Sequence, residues 1–294
     1  MKCGGHKMSL PQWLKKRAPR EEVLREIKGL LRSYALHTVC EEAQCPNIGE
    51  CFQKRTATFL ILGDRCTRNC RFCAIKKEAP LPLDSQEPEN VAQAVKKLGL
   101  RYVVITSVTR DDLPDGGAEQ FAQTIKEIRR VNGDEIRVEI LIPDFKGSLF
   151  SLKKVMEAKP DVLNHNLETI SHLYPQVRPQ ADYERSLELL KRSKELDSSI
   201  YTKSGLMVGL GESFTEVIET MDDLREVECD ILTIGQYLRP SFQHLAVKEF
   251  VTPDRFKEYE EIGQSLDFSY IASSPFTRSS YQAEQALDKA MEKK

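Results

Sequence analysis

Thr56-Ala57-Thr58-Phe59-Leu60-Ile61-Leu62-Gly63-Asp64-Arg65-Cys66-Thr67-Arg68-Asn69-Cys70-Arg71-Phe72-Cys73 runs from a short apolar stretch straight into three closely spaced cysteines. The apolar part, 58–63, has the length and composition of a buried strand. Three thiolates this close in sequence cannot enclose every iron of a cubane cluster, so one iron would stay open to a ligand that is not protein. A zinc site would need a fourth ligand nearby, and no Cys or His stands between Cys73 and His165. Iron and sulfide suit the donor set better.

Outward from this stretch, short β-branched or apolar runs alternate with longer amphipathic ones. Strands are predicted at 58–63, 102–107, 136–142, 161–165, 201–208 and 231–234. Helices are predicted at 89–98, 118–131, 149–158, 183–196, 214–227 and 253–266. Such repeats, free of hairpin signals, argue for parallel βα units, in an open sheet or a barrel. Polar and Gly-rich segments follow nearly every strand: 66–73, 109–112, 164–166, 209–212 and 236–239. In a barrel these all meet at one mouth, where barrel enzymes carry their active sites. The preferred fold is therefore α/β, a partial parallel (β/α)6 TIM-type barrel.

Before it, 21–33 reads as a helix with Val23, Leu24, Ile27, Leu30 and Leu31 on one side, followed by a second triplet, Cys40, Cys45 and Cys51. The division expected is an N-terminal extension at 1–56, the barrel at 57–268 and a C-terminal tail at 269–294. Cys229 leads into an apolar run and reads as a small buried hydrophobe; Cys3 sits in a Gly-rich terminus without periodic pattern. With His37, the Cys40 triplet could also hold a structural zinc.

The 294 residues are 40% hydrophobic and 30% charged, the balance of a globular protein that folds. The net charge of −2 gives no reason to expect nucleic acid as a partner. Lys15-Lys16-Arg17 and Lys76-Lys77 read as solvated faces. No stretch is long and apolar enough to span a bilayer and no signal core is visible, so no membrane role and a cytoplasmic location are expected. Eight cysteines in that setting favour metal or catalytic use over disulfides.

The strand followed by Cys66-x3-Cys70-x2-Cys73, with Phe72 before the last cysteine, resembles the radical S-adenosylmethionine superfamily. The resemblance implies that the open iron is chelated by S-adenosylmethionine, that one-electron transfer cleaves its sulfonium, and that the resulting 5′-deoxyadenosyl radical takes hydrogen from unactivated carbon. Both triplets, together with Asp111-Asp112-Leu113-Pro114-Asp115-Gly116-Gly117-Ala118, Asn164-His165-Asn166-Leu167-Glu168-Thr169, Gly235-Gln236-Tyr237-Leu238-Arg239-Pro240-Ser241 and Arg278-Ser279-Ser280-Tyr281, are similar to lipoyl synthases from about Leu10 to Tyr281. Alone, Arg278 to Tyr281 would read as a polar turn.

That likeness implies two 4Fe–4S clusters and S-adenosylmethionine as cofactors. Cys66, Cys70 and Cys73 would hold the radical-generating cluster, and Cys40, Cys45, Cys51 and Ser280 an auxiliary one. Thr106, Ser107, Asn166, Glu168, Arg178, Gly205 and Gly209 would contact the cofactor. The implied reaction adds two sulfur atoms, drawn from the auxiliary cluster, at the sixth and eighth carbons of an octanoyl chain. That chain is carried on a lysine of a lipoyl carrier domain, either a glycine cleavage H protein or a dehydrogenase E2 subunit. Electrons would come from a small donor such as flavodoxin or ferredoxin. The sequence departs from the family at Phe52, Arg55 and Ser274, and Glu119 is displaced by one position, so it is not assigned to the cofactor. The alternatives are a radical enzyme that methylthiolates RNA and a non-catalytic zinc or iron–sulfur protein.

Overall fold

The computed structural model describes residues 10–16, 21–54 and 57–293; Cys3, Arg17, Arg55, Thr56 and the side chain of Val23 lie outside the described residues. In chain order the strands are β1 (His37–Thr38), β2 (Thr58–Ile61), β3 (Tyr102–Ser107), β4 (Arg137–Leu141), β5 (Val162–Asn164), β6 (Tyr201–Val208), β7 (Ile231–Gln236) and β8 (Tyr270–Ser273). They form one sheet in that order, with β2 to β8 parallel and β1 antiparallel to β2. Among the described residues β8 does not pair back onto β1 or β2, so the barrel is partial, the form preferred from the sequence. The sheet extends by one strand at each edge beyond the six predicted. β1 has two residues, too few to leave a pattern, and β8 alternates buried and half-buried positions.

The helices are α1 (Glu21–Ser33), α2 (Val39–Glu42), α3 (Ile48–Gln53), α4 (Glu87–Leu98), α5 (Ala118–Asn132), α6 (Leu149–Glu157), α7 (Tyr174–Val177), α8 (Tyr183–Leu196), α9 (Phe214–Glu226), α10 (Pro253–Ser265) and α11 (Ala283–Lys293). Local chemistry sets several of their ends. Ser213 and Glu216 make a reciprocal capping box at the start of α9, and Gly99 closes α4 with a left-handed φ of 66°.

Strand period sorts the core into two faces. Val103, Ile105, Val138 and Ile140 share the main core with Val91, Val95, Phe121 and Ile125 of α4 and α5. Their neighbours Tyr102, Val104 and Val162 point to the opposite, inner face, where they meet Ala283 and Leu287 of α11. Ile231 meets Ala286 and Ala290 there. Arg137 ties α11 down through Glu284 at 3.0 Å and Asp288 at 2.5 Å. The segment expected as a tail thus supplies β8 and a helix that lines the inside of the open barrel. Also on the inner face, Lys203 and Glu139 pair at 2.9 Å, with Tyr102 donating to Glu139 at 2.6 Å and Asn164 at 3.1 Å. Every charge in this buried group has a partner, which offsets the cost of desolvating it.

Candidate functional site

Cys66, Cys70 and Cys73 occupy the loop after β2, at the mouth, held by backbone bonds within that loop and from neighbouring ones. Cys66 N–H donates to Lys76 O at 2.8 Å, Thr67 N–H to Thr109 O at 3.0 Å and Arg71 N–H to Val177 O at 2.9 Å, while Arg71 O accepts from Leu245 N–H at 3.1 Å. His244 Nε2 lies 3.1 Å from Cys73 O and Ser241 Oγ 2.8 Å from Nδ1. A carbonyl only accepts, so Nε2 carries the proton and Nδ1 receives the serine hydroxyl. Arg68 anchors the loop from below: it is bidentate to Asp111 at 2.7 and 3.0 Å and reaches Asp144 at 2.6 Å. Burial favours the neutral acid at Asp144, but Arg68 holds its carboxyl down to about 2. The three sulfurs lie close enough to feel one another; burial raises the Cys70 thiol and pushes Cys73 up to about 12. Such thiols ionise readily only beside a strong positive charge, as a metal cluster provides.

The other triplet sits on two short helices, Cys40 in α2 and Cys51 in α3, with Cys45 between them. Cys40 is buried and pushed up to about 12 by that burial. His37 turns instead to Glu42, at 3.5 Å. Among the described residues no three His, Cys, Asp or Glu side chains crowd closely enough to grip a single ion.

Residues 276–281 return to this triplet. Asn47 Nδ2 donates to Phe276 O at 2.8 Å, and Tyr281 Oη donates to Glu50 Oε1 at 2.6 Å. Lys16 is not merely solvated: it donates to Asn47 Oδ1 at 2.6 Å and lies 4.6 Å from the Phe276 ring centre. On the barrel side of the same segment, Ser279 Oγ accepts from Asn166 Nδ2 at 3.3 Å. Ser280 therefore lies between a residue held by the barrel and one held by α3. Arg278 faces both sites: burial lowers its pKa, opposed by Cys45 on one side and Glu168 on the other.

Asn166, Glu168 and Arg178 come together beyond β5. Asn166 Nδ2 also reaches Glu168 Oε1 at 3.0 Å, and Arg178 Nη1 donates to Asn166 O at 2.8 Å and Leu167 O at 2.9 Å. Glu168 takes a left-handed φ of 67° and exchanges backbone bonds with Gly205 and Met207 at 2.9 Å. Burial raises its carboxyl, opposed by Arg178. Asn166 Oδ1, Arg178 Nε, Ser107 Oγ and Thr169 Oγ1 are buried without partners. A polar ligand at the mouth fits these orphaned groups, whose burial is otherwise costly.

Thr106, one residue before Ser107, donates to Leu141 O at 3.0 Å. A Cβ on Gly205 would stand 2.8 Å from Asn166 Oδ1, so this glycine leaves room for the asparagine. Gly209, just past the end of β6, packs against the Gln236 side chain and the Glu249 carbonyl, where a Cβ would have no room. His165 is a core histidine, its Nδ1 at 2.8 Å from Ile142 O, and Cys229 is fully buried. Glu119 pairs with Lys154 at 2.8 Å. Sequence reasoning did not single out Asp144, Thr67, His244 or Arg278. Of these, Thr67 lies inside the Cys66–Cys73 run and Arg278 opens the Arg278–Tyr281 motif, whereas nothing local marks Asp144.

Residues 60–224 match the Radical SAM superfamily and residues 2–45 the N-terminal domain of lipoyl synthase of that family. A lipoyl synthase of Caldanaerobacter subterraneus subsp. tengcongensis is 59% identical over 95% of this chain and 98% of its own. One from Aquifex aeolicus is 54% identical over 90% of this chain and 95% of its own. The chain belongs to the lipoyl synthase family. It is a radical S-adenosylmethionine enzyme, and membership brings with it that cofactor, a 4Fe–4S cluster and an octanoylated carrier protein as substrate. The RNA-methylthiolating and non-catalytic alternatives are set aside. Among solved structures, HydG, a maturase of the FeFe-hydrogenase, aligns with a TM-score of 0.60 at 17% identity over 79% of this chain and 54% of that one. Streptococcus suis SuiB bound to S-adenosylmethionine aligns with a TM-score of 0.58 at 16% identity over 78% and 53%. These two share the fold. Among the described residues no helix is long and apolar enough to cross a membrane.

Proposed function

We propose that the two cysteine triplets hold separate 4Fe–4S clusters, and that this lipoyl synthase uses the second to supply both sulfurs placed on the octanoyl chain. Cys66, Cys70 and Cys73 ligate the first cluster. Thr106, Ser107, Asn166, Glu168 and Arg178, with Gly205 and Gly209, form the bed for S-adenosylmethionine. Bound there, cluster and cofactor supply a carbon radical able to remove hydrogen from an unactivated methylene. Cys40, Cys45, Cys51 and Ser280 ligate the second cluster, so that 1–56 and 269–294 act together around the barrel of 57–268. The carrier is a lipoyl domain of the glycine cleavage H or dehydrogenase E2 type, and the electron donor a flavodoxin or ferredoxin.

The observation that carries this reading is the course of 276–281, held to α3 by Asn47 and Glu50 and to the barrel by Asn166. This course supports the reading because Ser280 stands between Ser279, bonded to Asn166, and Tyr281, bonded to Glu50, and because Arg278 feels both Cys45 and Glu168. The protein's side chains orient and enclose: Arg178 fixes the carbonyls beside Asn166, and Arg68 fixes the first cysteine loop. Among the four donors of the second site, the serine oxygen matches iron least well, so this corner opens most easily.

Reduced protein, S-adenosylmethionine and an octanoyl-lysyl peptide are expected to yield 5′-deoxyadenosine and a peptide heavier by two sulfurs. Ser280→Cys is expected to keep about eight irons per chain and still cleave the cofactor, yet add no sulfur. Full sulfur transfer by that variant would refute the role given to Ser280, and four irons in the unmodified protein would refute the second cluster.

A further inference from the structure

One amide at the mouth points at a sulfur from another strand's loop: Thr109 N–H, beyond β3, donates to Cys66 Sγ at 3.3 Å. Cys73 also receives a backbone N–H, but from Ile75 two residues along the same loop. That bond is local, whereas the bond to Cys66 exists only while two loops are held together. Thr67 holds them. Its hydroxyl donates to Thr109 O at 2.9 Å and accepts from Asp111 N–H at 3.0 Å, while its own N–H donates to the same Thr109 carbonyl at 3.0 Å. The side chain thus grips the segment on both sides of Arg110.

An N–H dipole aimed at a ligating thiolate stabilises the charge added on reduction, and hydrogen bonds to cysteine sulfur are one of the levers on cluster potential. We propose that Thr67 is a positioning residue which fixes the Thr109 amide on Cys66 Sγ and so makes the first cluster easier to reduce. The proposal rests on Cys66, Cys70 and Cys73 being the ligands of that cluster.

Thr67→Val keeps the shape and the backbone bond but removes both hydroxyl bonds; Thr67→Ala removes them with less bulk, and Thr67→Ser keeps them. The measurement is a potentiometric titration followed by the EPR signal that changes when S-adenosylmethionine is added, on protein of determined iron content. T67V and T67A are expected to reduce about tenfold less favourably at a given potential, about 59 mV lower, while T67S titrates with the unmodified protein. Iron-loaded T67V or T67A that titrates with the unmodified protein, or a T67S shifted as far as T67V, would overturn the proposal. If neither hydroxyl-free variant loads iron, hydrogen exchange in the cluster-free chain decides: the Thr109 amide, which bonds Cys66 Sγ, should exchange several-fold faster in T67V than in T67S, and equal rates overturn the proposal. Unmodified protein without any cofactor-responsive signal would instead overturn the ligand assignment, before any variant is compared.

Discussion

The two cysteine triplets are built in opposite ways. Cys66 to Cys73 lie on one loop that the barrel grips through backbone bonds from the segments around Thr109, Val177 and Leu245, with a buried arginine beneath. Cys40 and Cys51 lie on two helices of four and six residues, too short to persist alone, with Cys45 between them. Their closure depends on side chains that meet residues 229 and 231 positions away, at Phe276 and Tyr281. The first site therefore forms with the barrel, while the second forms only when both ends of the chain meet. Such long-range closure by few bonds opens at low cost compared with global unfolding, a property that agrees with the sulfur-supplying role proposed above for this site.

The largest effect should come from the hub under the first site. Arg68→Leu leaves the buried Asp144 carboxylate with Arg185 at 3.2 Å and the Lys146 N–H at 3.0 Å, and strips Asp111 of its bidentate partner. Breaking a buried charge pair in this way costs about 3–5 kcal/mol. Urea unfolding should show that loss as a lower midpoint at unchanged slope, because the lesion is global. A loss under about 1 kcal/mol would mean that the first loop is not welded to the barrel, and the contrast between the sites would lapse.

Much of the first site could be read in the sequence and little of the second, for the same reason. Strand and helix periods are local, so 102–107, 183–196 and 201–208 coincide with the elements observed. Local too is the spacing of Cys66, Cys70 and Cys73. The inner helix α11 was within reach: Ala283, Ala286, Leu287 and Ala290 recur at helical spacing, but alanines weigh little as hydrophobes and the segment reads as a polar tail. By contrast, no period announces that Asn47 meets Phe276 or that Ser279 meets Asn166. Those pairings are tertiary, and only the likeness to a family pointed to Ser280. Lys16 shows the same limit, since a basic run looks solvated until the partner across the chain is known.

Acid should distinguish the two sites next. His165 lies beneath the first, and burial holds it neutral down to about 4, against an ordinary 6.5, with Arg178 adding to the effect. The unfolded chain binds this proton from about 6.5 downward and the folded chain only near 4. The stability is therefore complete above 6.5 and is lost progressively as pH falls to about 4. That gap corresponds to about 3 kcal/mol. His165→Asn should flatten the fall of the unfolding free energy across this window. An unchanged slope would place the acid sensitivity of the mouth elsewhere.

The smallest and most local effect is expected at the second site. Tyr281→Phe removes one hydroxyl, the donor to Glu50, and leaves the ring beside Lys16. A half-exposed hydrogen bond of this kind contributes about 1 kcal/mol, too little to move the global midpoint far but enough to change how often the closure opens. Hydrogen exchange resolves the difference. Amides of α3 and of 276–281 should exchange about fivefold faster in the variant, while those of β3, β4 and β6 keep their rates. If the strands speed up equally, the second site opens only when the whole protein does, and the two triplets belong to one cooperative unit.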